Sequence, residues 1–358
     1  MIDSKTVRLV RAIADFGSIA RAAVHLNRTP SAVSHQLRKA EAAVGLVFFD
    51  RNSRSLSITE AGRAIYAYGA ALFEEETQLA TKLKGLRRKA DAYVHGYSGF
   101  ETDRLNDQAR SIAEFIHYDS VWEEGSVVLE VGCGVGAQTK ILARQNPGCR
   151  FLAIDRSERS ILAAKADREL KTLRNAEFVH LDAFGLERLG RPFDHVFVCF
   201  VLEHLNDPLQ LLKLLYAYLP PGGTITVVEG DHGSAYFHPE TEAAVRAVAA
   251  QVGYQRENGG NANIGRQLQS LLVRSGFTEA KVSPRAIYVD DNNPTLKENF
   301  ILKTFTAMIE GMKDPIVAAG VAKERTMAEG IRDLKRINSP GGTFSYTFFK
   351  GTAKKALE

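Results

Sequence analysis

A chain of 358 residues is too long for one small domain, and two domains are the natural expectation. Hydrophobic residues make up 45% and charged residues 25%, which excludes wholesale disorder, and no apolar run approaches the roughly 20 residues that a membrane span needs. The three cysteines, Cys133, Cys149 and Cys199, are too few and too scattered for a disulfide framework or a zinc site. Charged residues between Asp3 and Arg11 interrupt any signal-peptide core, so we expect a protein of the reducing cytoplasm.

The net charge of +4 is unevenly distributed along the chain. Residues 1–90 contain 15 Lys and Arg residues against 8 Asp and Glu residues, a net charge of +7. The remainder contains 31 against 34, a net charge of −3. A basic head on a mildly acidic body indicates that the head meets a polyanion.

The first sixty residues predict three short helices followed by a hairpin. One helix ends near Phe16, a second over residues 19–26 starts behind Ser18 as N-cap, and a third covers residues 31–44. Pro30 suits the first turn of the third helix because its missing N–H is not needed there. Two helices joined by a short turn predict a helix-turn-helix, whose second helix enters the DNA major groove. We expect the third helix and the hairpin to contact bases and phosphates through Ser31, Ser34, His35, Arg38, Arg51 and Arg54.

Three stretches of this head carry the spacing of a known family: residues 17–23 (GSIARAA), 30–37 (PSAVSHQL) and 59–62 (TEAG). The head resembles the winged helix-turn-helix of LysR-type regulators over about residues 3–90, which implies a DNA-binding domain at 1–59. It departs from that family where Ala40-Glu41 replaces a Leu-Glu pair and where residues 48–51 read Phe-Phe-Asp-Arg instead of Leu-Phe-x-Arg. Asp50 places negative charge beside a residue expected at phosphate, which weakens the expected affinity.

Residues 60–90 predict one long helix, because they lack proline and apolar side chains recur every seven residues at Ile65, Leu72, Leu79 and Leu86. A stripe of this period suits pairing with a second helix. The matching helix of LysR-type proteins dimerises, so the resemblance implies a homodimer through residues 60–89. The alternative is that the stripe packs on its own domain.

A glycine loop follows the first strong strand of the remaining chain. The apolar run at residues 127–131 predicts a buried parallel strand, and Gly132, Gly134 and Gly136 lead from it into a helix near Gln138. Such a loop fits a dinucleotide fingerprint, but Glu130 would repel the pyrophosphate of NAD. Glu130 instead favours a cationic ligand such as the amino-acid end of S-adenosylmethionine, directly or through water. A purely structural turn is the remaining alternative.

Two further acids end predicted strands. Asp155 closes the strand at residues 151–155 and is placed to accept both ribose hydroxyls, while Asp182 follows the next strand and could accept from the adenine amino group, with Ala183 and Phe184 against the ring. More strands are predicted at residues 193–200 and 221–229. Strands alternating with helices predict a doubly wound α/β sheet that binds ligands at the carboxyl ends of its strands, and each of these acids lies at such an end.

Residues 91–358 strongly resemble class I S-adenosylmethionine-dependent methyltransferases, particularly those acting on small molecules. The resemblance implies a Rossmann-like methyltransferase sheet with a reversed last strand, here residues 343–349 paired with 280–286. It implies cofactor contacts from the loop, from the strand ends and from a segment that folds over the cofactor: Glu130, Gly132, Gly134, Gly136, Asp155, Arg156, Asp182, Ala183, Phe184, Cys199 and Tyr97. It also implies that a helical insertion at about 294–338 builds the acceptor pocket, with Arg285, Tyr288, Thr304 and Met308 as candidates for its wall or for the core.

Two histidines are candidate catalytic bases. Methyl transfer from a sulfonium mainly requires alignment and exclusion of water, and a base helps when the acceptor is a hydroxyl or an acidic carbon. His204 follows the fourth predicted strand and His232 follows the fifth, so both should line the acceptor side; otherwise they shape the pocket or cap helices. His232 and His238 lack the carboxylates of a metal site, and we expect no metal.

These features favour methyl transfer to a small molecule by a protein with a DNA-binding, dimerising head. One alternative is a transcription regulator that uses the methyltransferase fold as a ligand sensor, although a sensor need not retain every acid. A DNA methyltransferase is disfavoured, because Phe200-Val201-Leu202-Glu203 stands where amino-group DNA methylases carry Asn/Asp-Pro-Pro-Tyr/Phe, and a Pro-Cys nucleophile is absent. In a further alternative, the head serves only as a dimer handle.

Overall fold

A computed structural model of the protein describes residues 4–26, 28–50, 56–69 and 99–357. They divide into two compact units, Met1–Asp91 and Ala92–Glu358, and each unit is described by itself. Among the described residues, no helix combines the length and apolar character that crossing a membrane would require.

The first unit is built from short helices and a two-stranded hairpin. Its elements are α1 (Ser4–Phe16), α2 (Ile19–His25), α3 (Pro30–Val44), β1 (Phe49–Asp50), β2 (Ser57–Ile58) and a helix α4 that is described over residues 60–69. Thr29 caps α3 by accepting the N–H of Ala32 at 3.3 Å, Pro30 occupies its first turn, and Gly45 ends it with φ of 75°. Ser18 lies at the N-cap of α2 as predicted, but its side chain makes no capping hydrogen bond.

The wing of this unit is held by the glutamate of the Ala40-Glu41 pair. In the antiparallel hairpin, Phe49 pairs with Ile58 and Asp50 with Ser57. Oε1 of Glu41 accepts the N–H of Phe48 at 2.8 Å, and both Phe48 and Phe49 are buried in the core. A carboxylate on α3 therefore fixes the start of the wing.

The described start of α4 packs on its own unit. Ile65, the first residue of the predicted heptad stripe, is buried in the core that α1 to α3 form, and the Tyr66 hydroxyl donates to Asp15 at 2.7 Å. Leu72, Leu79 and Leu86 lie outside the described residues, so the predicted linker helix over 60–90 and its pairing stay predictions.

The second unit contains a seven-stranded sheet with the order β5-β4-β3-β6-β7-β9-β8. Its strands are β3 (Val127–Val131), β4 (Arg150–Asp155), β5 (Ala176–His180), β6 (His195–Cys199), β7 (Thr224–His238), β8 (Thr278–Val289) and β9 (Thr343–Lys354). All neighbours from β5 to β7 are parallel, whereas β9 runs antiparallel to β7 and to β8. The predicted doubly wound sheet with a reversed last strand is confirmed.

Helices cover both faces of this sheet. They are α5 (Gly99–Ile116), α6 (Ala137–Gln145), α7 (Glu158–Ala166), α8 (Pro208–Tyr218), α9 (Glu242–Glu257) and α10 (Leu268–Arg274). Two large clusters of buried apolar residues result, one with Phe151, Phe197 and Phe344 and the other with Leu152, Val198 and Ile225. Burial on both faces explains why the parallel strands are continuous apolar runs.

The insertion between β8 and β9 is helical, as predicted. It comprises α11 (Pro294–Glu298), a π-helix (Asn299–Thr306), α12 (Ala307–Gly311), α13 (Lys313–Ala318) and α14 (Glu324–Arg336). Its two ends are joined by Lys297, a buried cation that donates to Oδ1 of Asp291 at 2.5 Å and to the carbonyl of Ser339 at 2.8 Å. Oδ2 of Asp291 in turn accepts the N–H of Gly341 at 2.6 Å.

Candidate functional site

The glycine loop between β3 and α6 needs its glycines for backbone conformation and for space. Gly132, Gly134 and Gly136 have φ of 72°, 54° and 78°, the left-handed region that side chains disfavour. A Cβ at Gly132 would lie 2.5 Å from Val201, and one at Gly136 would lie 2.7 Å from Leu170. A Cβ at Gly134 would meet no atom within 4 Å. The middle of the loop therefore faces open space.

Asp155 at the end of β4 is fixed against this loop. Its Oδ2 accepts the N–H of Gly134 at 2.8 Å, and its Oδ1 accepts the N–H of Ser157 at 2.7 Å. Burial raises the pKa of Asp155, and the two backbone hydrogen bonds counteract that effect. A carboxylate oxygen has two lone pairs, so each oxygen can accept one more hydrogen from a ligand hydroxyl.

Glu130 lies behind the loop instead of in the pocket wall. It is buried on β3, and its Oε2 accepts the hydroxyl hydrogen of Thr139, on α6, at 2.6 Å. Burial raises the pKa of Glu130 to about 8. Glu130 thus ties the strand to the helix that follows the loop, and its predicted contact with a cationic ligand stays a prediction.

The third strand end contributes a capped turn. Oδ1 of Asp182 accepts the N–H of Phe184 at 2.9 Å at the start of a 3-10 helix over Ala183–Leu189. Only one oxygen of Asp182 is used by this cap, so the other can accept from a ligand. The Phe184 ring is 45% exposed at the pocket, where it offers a flat apolar surface.

One pocket brings these strand ends together. It has a volume of about 260 Å³, and α5 contributes Leu105 and Gln108 to its wall. Of the residues predicted from the sequence, the wall contains Gly132, Gly134, Asp155, Arg156, Asp182, Ala183, Phe184, Cys199, His204 and His232. Glu130 and Gly136 are not in the wall, and Tyr97 lies outside the described residues.

At one end of the pocket, the wall is aromatic and contains His232. The bulge of β7 between Asp231 and Tyr236 carries this histidine, whose Nδ1 lies 2.8 Å from the hydroxyl of Tyr346 on β9. Its Nε2 lies 3.3 Å from Sδ of Met308 on α12. Burial raises the pKa of Tyr346 well above its ordinary value, so the phenol keeps its proton. Donation of that proton to Nδ1 would require the imidazole tautomer that carries its hydrogen on Nε2.

His204 reaches the same pocket from the loop after β6. It ends a 3-10 helix over Leu202–His204, and its Nε2 lies 3.5 Å from Oε1 of Glu203, which also lines the pocket. Phe200 begins this loop with φ of 56°, a strained conformation for a side chain of its size, and packs on Phe348 with ring centroids 5.5 Å apart. The side chains of Glu203 and His204 thus lie at the aromatic end of the pocket, beside Phe200 and Phe348.

Tyr346 and Phe348 lie in the pocket wall and were not predicted from the sequence. Of the four candidates for the pocket wall or the core, Met308 lines the pocket, whereas Arg285 and Tyr288 on β8 and the buried Thr304 do not. Arg285 donates to Asp119 at 2.6 Å, Tyr288 is 60% exposed on β8, and the Thr304 hydroxyl bonds the carbonyl of Asn299 inside the π-helix. The alternation of apolar and small residues along β9 could have placed Tyr346 and Phe348 on the buried face, but not in a pocket. No group of three or more His, Cys, Asp and Glu residues in the described part of the chain is arranged to hold a metal ion.

The first unit presents part of its predicted DNA face. On α3, Ser31, His35 and Arg38 are exposed, and Ser34 is half-buried. The Ser31 hydroxyl lies 3.1 Å from that of Thr29, the N-cap residue. Arg51 and Arg54 lie outside the described residues, so their predicted phosphate contacts stay predictions.

Each of the two units contains a segment that matches a known family of proteins. Residues 129–225 match a family model described as a methyltransferase domain, and residues 4–63 match that of the bacterial regulatory helix-turn-helix proteins of the lysR family. A trans-aconitate 2-methyltransferase from Variovorax paradoxus is 30% identical over 167 residues, which are 47% of this chain and 60% of that protein. An HTH-type transcriptional regulator from Sinorhizobium fredii is 41% identical over 69 residues, 19% of this chain and 23% of that protein. The chain therefore spans less than two thirds of either relative.

Among solved structures, a Haemonchus contortus phosphoethanolamine N-methyltransferase in complex with S-adenosylhomocysteine is 19% identical. The match covers 70% of this chain and 52% of that one, with a TM-score of 0.43. The plantazolicin methyltransferase BpumL is 14% identical over 79% of this chain and 99% of its own, with a TM-score of 0.42. On the family matches, the chain carries a methyltransferase domain preceded by a helix-turn-helix domain of the bacterial lysR family.

Proposed function

We propose that the second unit transfers a methyl group from S-adenosylmethionine to a small molecule. The observation that carries this proposal is Asp155, which is anchored to the backbone of Gly134 and Ser157 and lines the pocket with acceptor capacity left on each oxygen. A ribose offers two neighbouring hydroxyls to such a carboxylate. Asp182 and the Phe184 ring stand at the next strand end, where an adenine would fit.

The cationic methyl donor suits the acid behind the glycine loop better than a dinucleotide with its negative pyrophosphate does. S-adenosylmethionine, when bound, supplies a methyl group activated by a positive sulfonium. Gly132 and Gly134 let the backbone approach the methionine end of the cofactor closely, and Glu130 lies buried behind them. A buried acid at this position favours a cation and disfavours a pyrophosphate.

The chain's own residues supply alignment, water exclusion and a base. Phe200, Phe348, Met308 and Tyr346 enclose the acceptor end and keep water away from the reacting atoms. His204 beside Glu203 can take a proton from the acceptor, because the carboxylate stabilises the imidazolium that results. His232 lies in the pocket wall between the hydroxyl of Tyr346 and Sδ of Met308, and we assign it to orienting the acceptor.

A small acceptor suits this chamber better than a nucleic-acid base. The insertion reaches the pocket through Met308, and Phe200-Val201-Leu202-Glu203 occupies the position of the motif that amino-group DNA methylases use. The relative from Variovorax paradoxus is named for a small-molecule acceptor, trans-aconitate.

For the first unit we propose binding of double-stranded DNA through α3 and the wing, and homodimerisation through residues 60–89. The match to the lysR-family model and the exposed Ser31, His35 and Arg38 support DNA binding. DNA binding in turn supports action in the cytoplasm, where bacterial DNA is found.

The test of the catalytic proposal is methyl transfer itself. The purified protein is incubated with bacterial metabolite extract and S-adenosylmethionine labelled in the methyl group, and labelled products are separated by mass. We expect a labelled product that Asp155→Ala does not form and that Glu240→Ala, an exposed control, forms at the wild-type rate. Binding of the cofactor with no labelled product from any extract would instead favour the ligand-sensing regulator.

A further inference from the structure

Glu229 is a buried carboxyl group beside the pocket. It lies on β7 next to the pocket residue Gly230 and is 0% exposed. Its Oε1 accepts two backbone N–H groups, from Val201 at 3.0 Å and from Leu202 at 2.7 Å. Its Oε2 is equally buried, and no described residue forms a hydrogen bond with it. One oxygen therefore holds the loop after β6, and the other is buried away from the surface.

Backbone N–H groups of Val201, Leu202 and Glu203 act on this carboxyl group and favour its charged form. The ionisable side chains that act on it are acids: Glu203 from the loop, Cys199 from the end of β6 and Tyr346 from β9. None of the three carries a positive charge in either of its protonation states. Burial, reinforced by Glu203, raises the pKa of Glu229 well above its ordinary value.

Cations of the neighbouring segments are engaged with other acids. Arg266 donates to both oxygens of Asp231, at 2.7 and 2.6 Å. Lys350, which pairs with Val228 across β7 and β9, donates to Asp119 at 2.6 Å. An ionised Glu229 would thus be a buried charge with a bare oxygen, which is far more costly than a neutral carboxyl group.

We propose that Glu229 is a positioning residue that retains a proton on Oε2 at neutral pH and, in this neutral form, holds the loop from Val201 to His204 against the acceptor end of the pocket. The proton belongs on Oε2 because Oε1 already accepts two N–H groups. The role in catalysis rests on the function proposed above, whereas the protonation state does not.

The consequence concerns the Glu203–His204 pair. Oε1 of Glu203 lies 3.5 Å from Nε2 of His204, and its Oε2 accepts from Nε2 of Gln255 at 3.3 Å. Neutral Glu229 keeps this pair in place by holding the loop that carries it. Ionisation of Glu229 at alkaline pH would add a negative charge behind the loop and disturb this geometry.

The test compares the wild type with Glu229→Gln, which keeps an acceptor for both N–H groups and cannot ionise. Melting temperatures are measured from pH 5 to pH 9. Because the pKa of folded Glu229 is raised, its stabilising contribution is present at low pH and is lost as pH rises above the ordinary glutamate range. The difference in melting temperature between Glu229→Gln and the wild type should therefore change in favour of the variant by roughly 3 °C for each unit that the pH rises. The control Glu240→Gln, at an exposed site, should run parallel to the wild type.

Parallel curves for Glu229→Gln and the wild type would overturn the proposal. If Glu229→Gln does not fold, the protonation state of Glu229 is measured by infrared spectroscopy of ¹³C-glutamate-labelled protein at pH 7, in the Glu130→Gln background. A band of a protonated carboxyl group is expected, and its absence would contradict the proposal. S-adenosylmethionine binding gives a separate readout. Glu229→Gln should bind within about threefold of the wild type, and a 30-fold loss in the folded variant would show that the charge is needed. A wild type that binds no cofactor would instead overturn the proposed function and leave the pH comparison valid.

Discussion

The hydroxyl of Tyr346 lies 2.8 Å from Nδ1 of His232, across the point where the bulge of β7 faces β9. The bulge places His232 in the pocket wall, where its Nδ1 forms a hydrogen bond with the phenol. The pair joins the reversed strand to the acceptor end of the site.

Removing this hydroxyl should affect turnover more than cofactor binding. Tyr346→Phe preserves the ring packing but leaves Nδ1 of His232 buried without its donor, at a cost of about 1–3 kcal/mol in the free energy of unfolding. We expect unchanged affinity for S-adenosylmethionine and a drop in kcat on the acceptor identified with labelled cofactor. Denaturant unfolding, calorimetry and steady-state rates measure the three quantities. Wild-type kcat in Tyr346→Phe would exclude the orienting role of His232.

Glu130 should release a proton when a cation binds. Its pKa of about 8 means that it is mostly protonated at pH 7, and a positive ligand nearby favours ionisation. The binding enthalpy of S-adenosylmethionine should therefore depend on the ionisation enthalpy of the buffer at pH 7. Glu130→Gln should abolish most of that dependence, whereas Glu240→Gln should leave it unchanged. A buffer-independent enthalpy for the wild type would contradict the role of Glu130.

Glu130 also predicts a pH dependence of stability. Its pKa is raised in the folded protein, so its stabilising contribution is complete below the unfolded glutamate pKa and is lost as pH rises to about 8. The slope is about 1.4 kcal/mol per pH unit for one proton. Denaturant unfolding at pH 5, 6, 7 and 8 should show a shallower decline for Glu130→Gln than for the wild type; equal slopes would refute this prediction.

The ion pair at the base of the insertion should stabilise it. Asp291→Ala leaves Lys297, whose side chain is 3% exposed, without its carboxylate and frees the N–H of Gly341. Asp291 itself is largely exposed, so we expect a loss in the free energy of unfolding that is smaller than for a fully buried pair. The exposed pair Lys313–Glu324 is the control, and Glu324→Ala should cost less than Asp291→Ala. Equal losses for both variants would show that burial of Lys297 is unimportant.

The head should bind DNA in a salt-dependent manner. If Arg38 contacts a phosphate, Arg38→Ala lowers the slope of log K against log salt concentration by about 1. Fluorescence anisotropy with a labelled duplex from upstream of the gene, at several salt concentrations, measures the slope. Arg332→Ala in the second unit is the control and should retain the wild-type slope. Binding that is undetectable or insensitive to salt would leave the head only a dimerising role.

The sequence predicted those parts of the site that depend on the succession of strands, loops and helices along the chain. Asp155 and Asp182 end strands, and strand ends of a parallel sheet meet at one edge, so their convergence followed from alternation of strands and helices. The loop of Gly132, Gly134 and Gly136 followed from its place between a predicted strand and a predicted helix. LysR-like spacing likewise identified the head.

The parts that escaped prediction depend on contacts between distant segments. Tyr346 reaches His232 only through the register of β7 with β9 and through a bulge that residue types do not specify. The sequence around Glu229 indicates only a strand, and its hydrogen bonds with the N–H groups of Val201 and Leu202 depend on the tertiary fold. Glu130 was expected nearer the ligand. Its carboxylate instead accepts a hydrogen bond from Thr139 on the following helix, a contact that the sequence pattern did not indicate.

Calorimetric titration with S-adenosylmethionine measures whether the pocket at Asp155 binds this cofactor. We predict one binding event per chain for the wild type. The affinity of Asp155→Ala should be roughly 30- to 300-fold weaker, since two charge-assisted hydrogen bonds to ribose hydroxyls are lost. Asp155→Asn, which keeps one acceptor oxygen, should lie between them, and Glu240→Ala should match the wild type. No binding by the folded wild type, or undiminished binding by Asp155→Ala, would contradict the account.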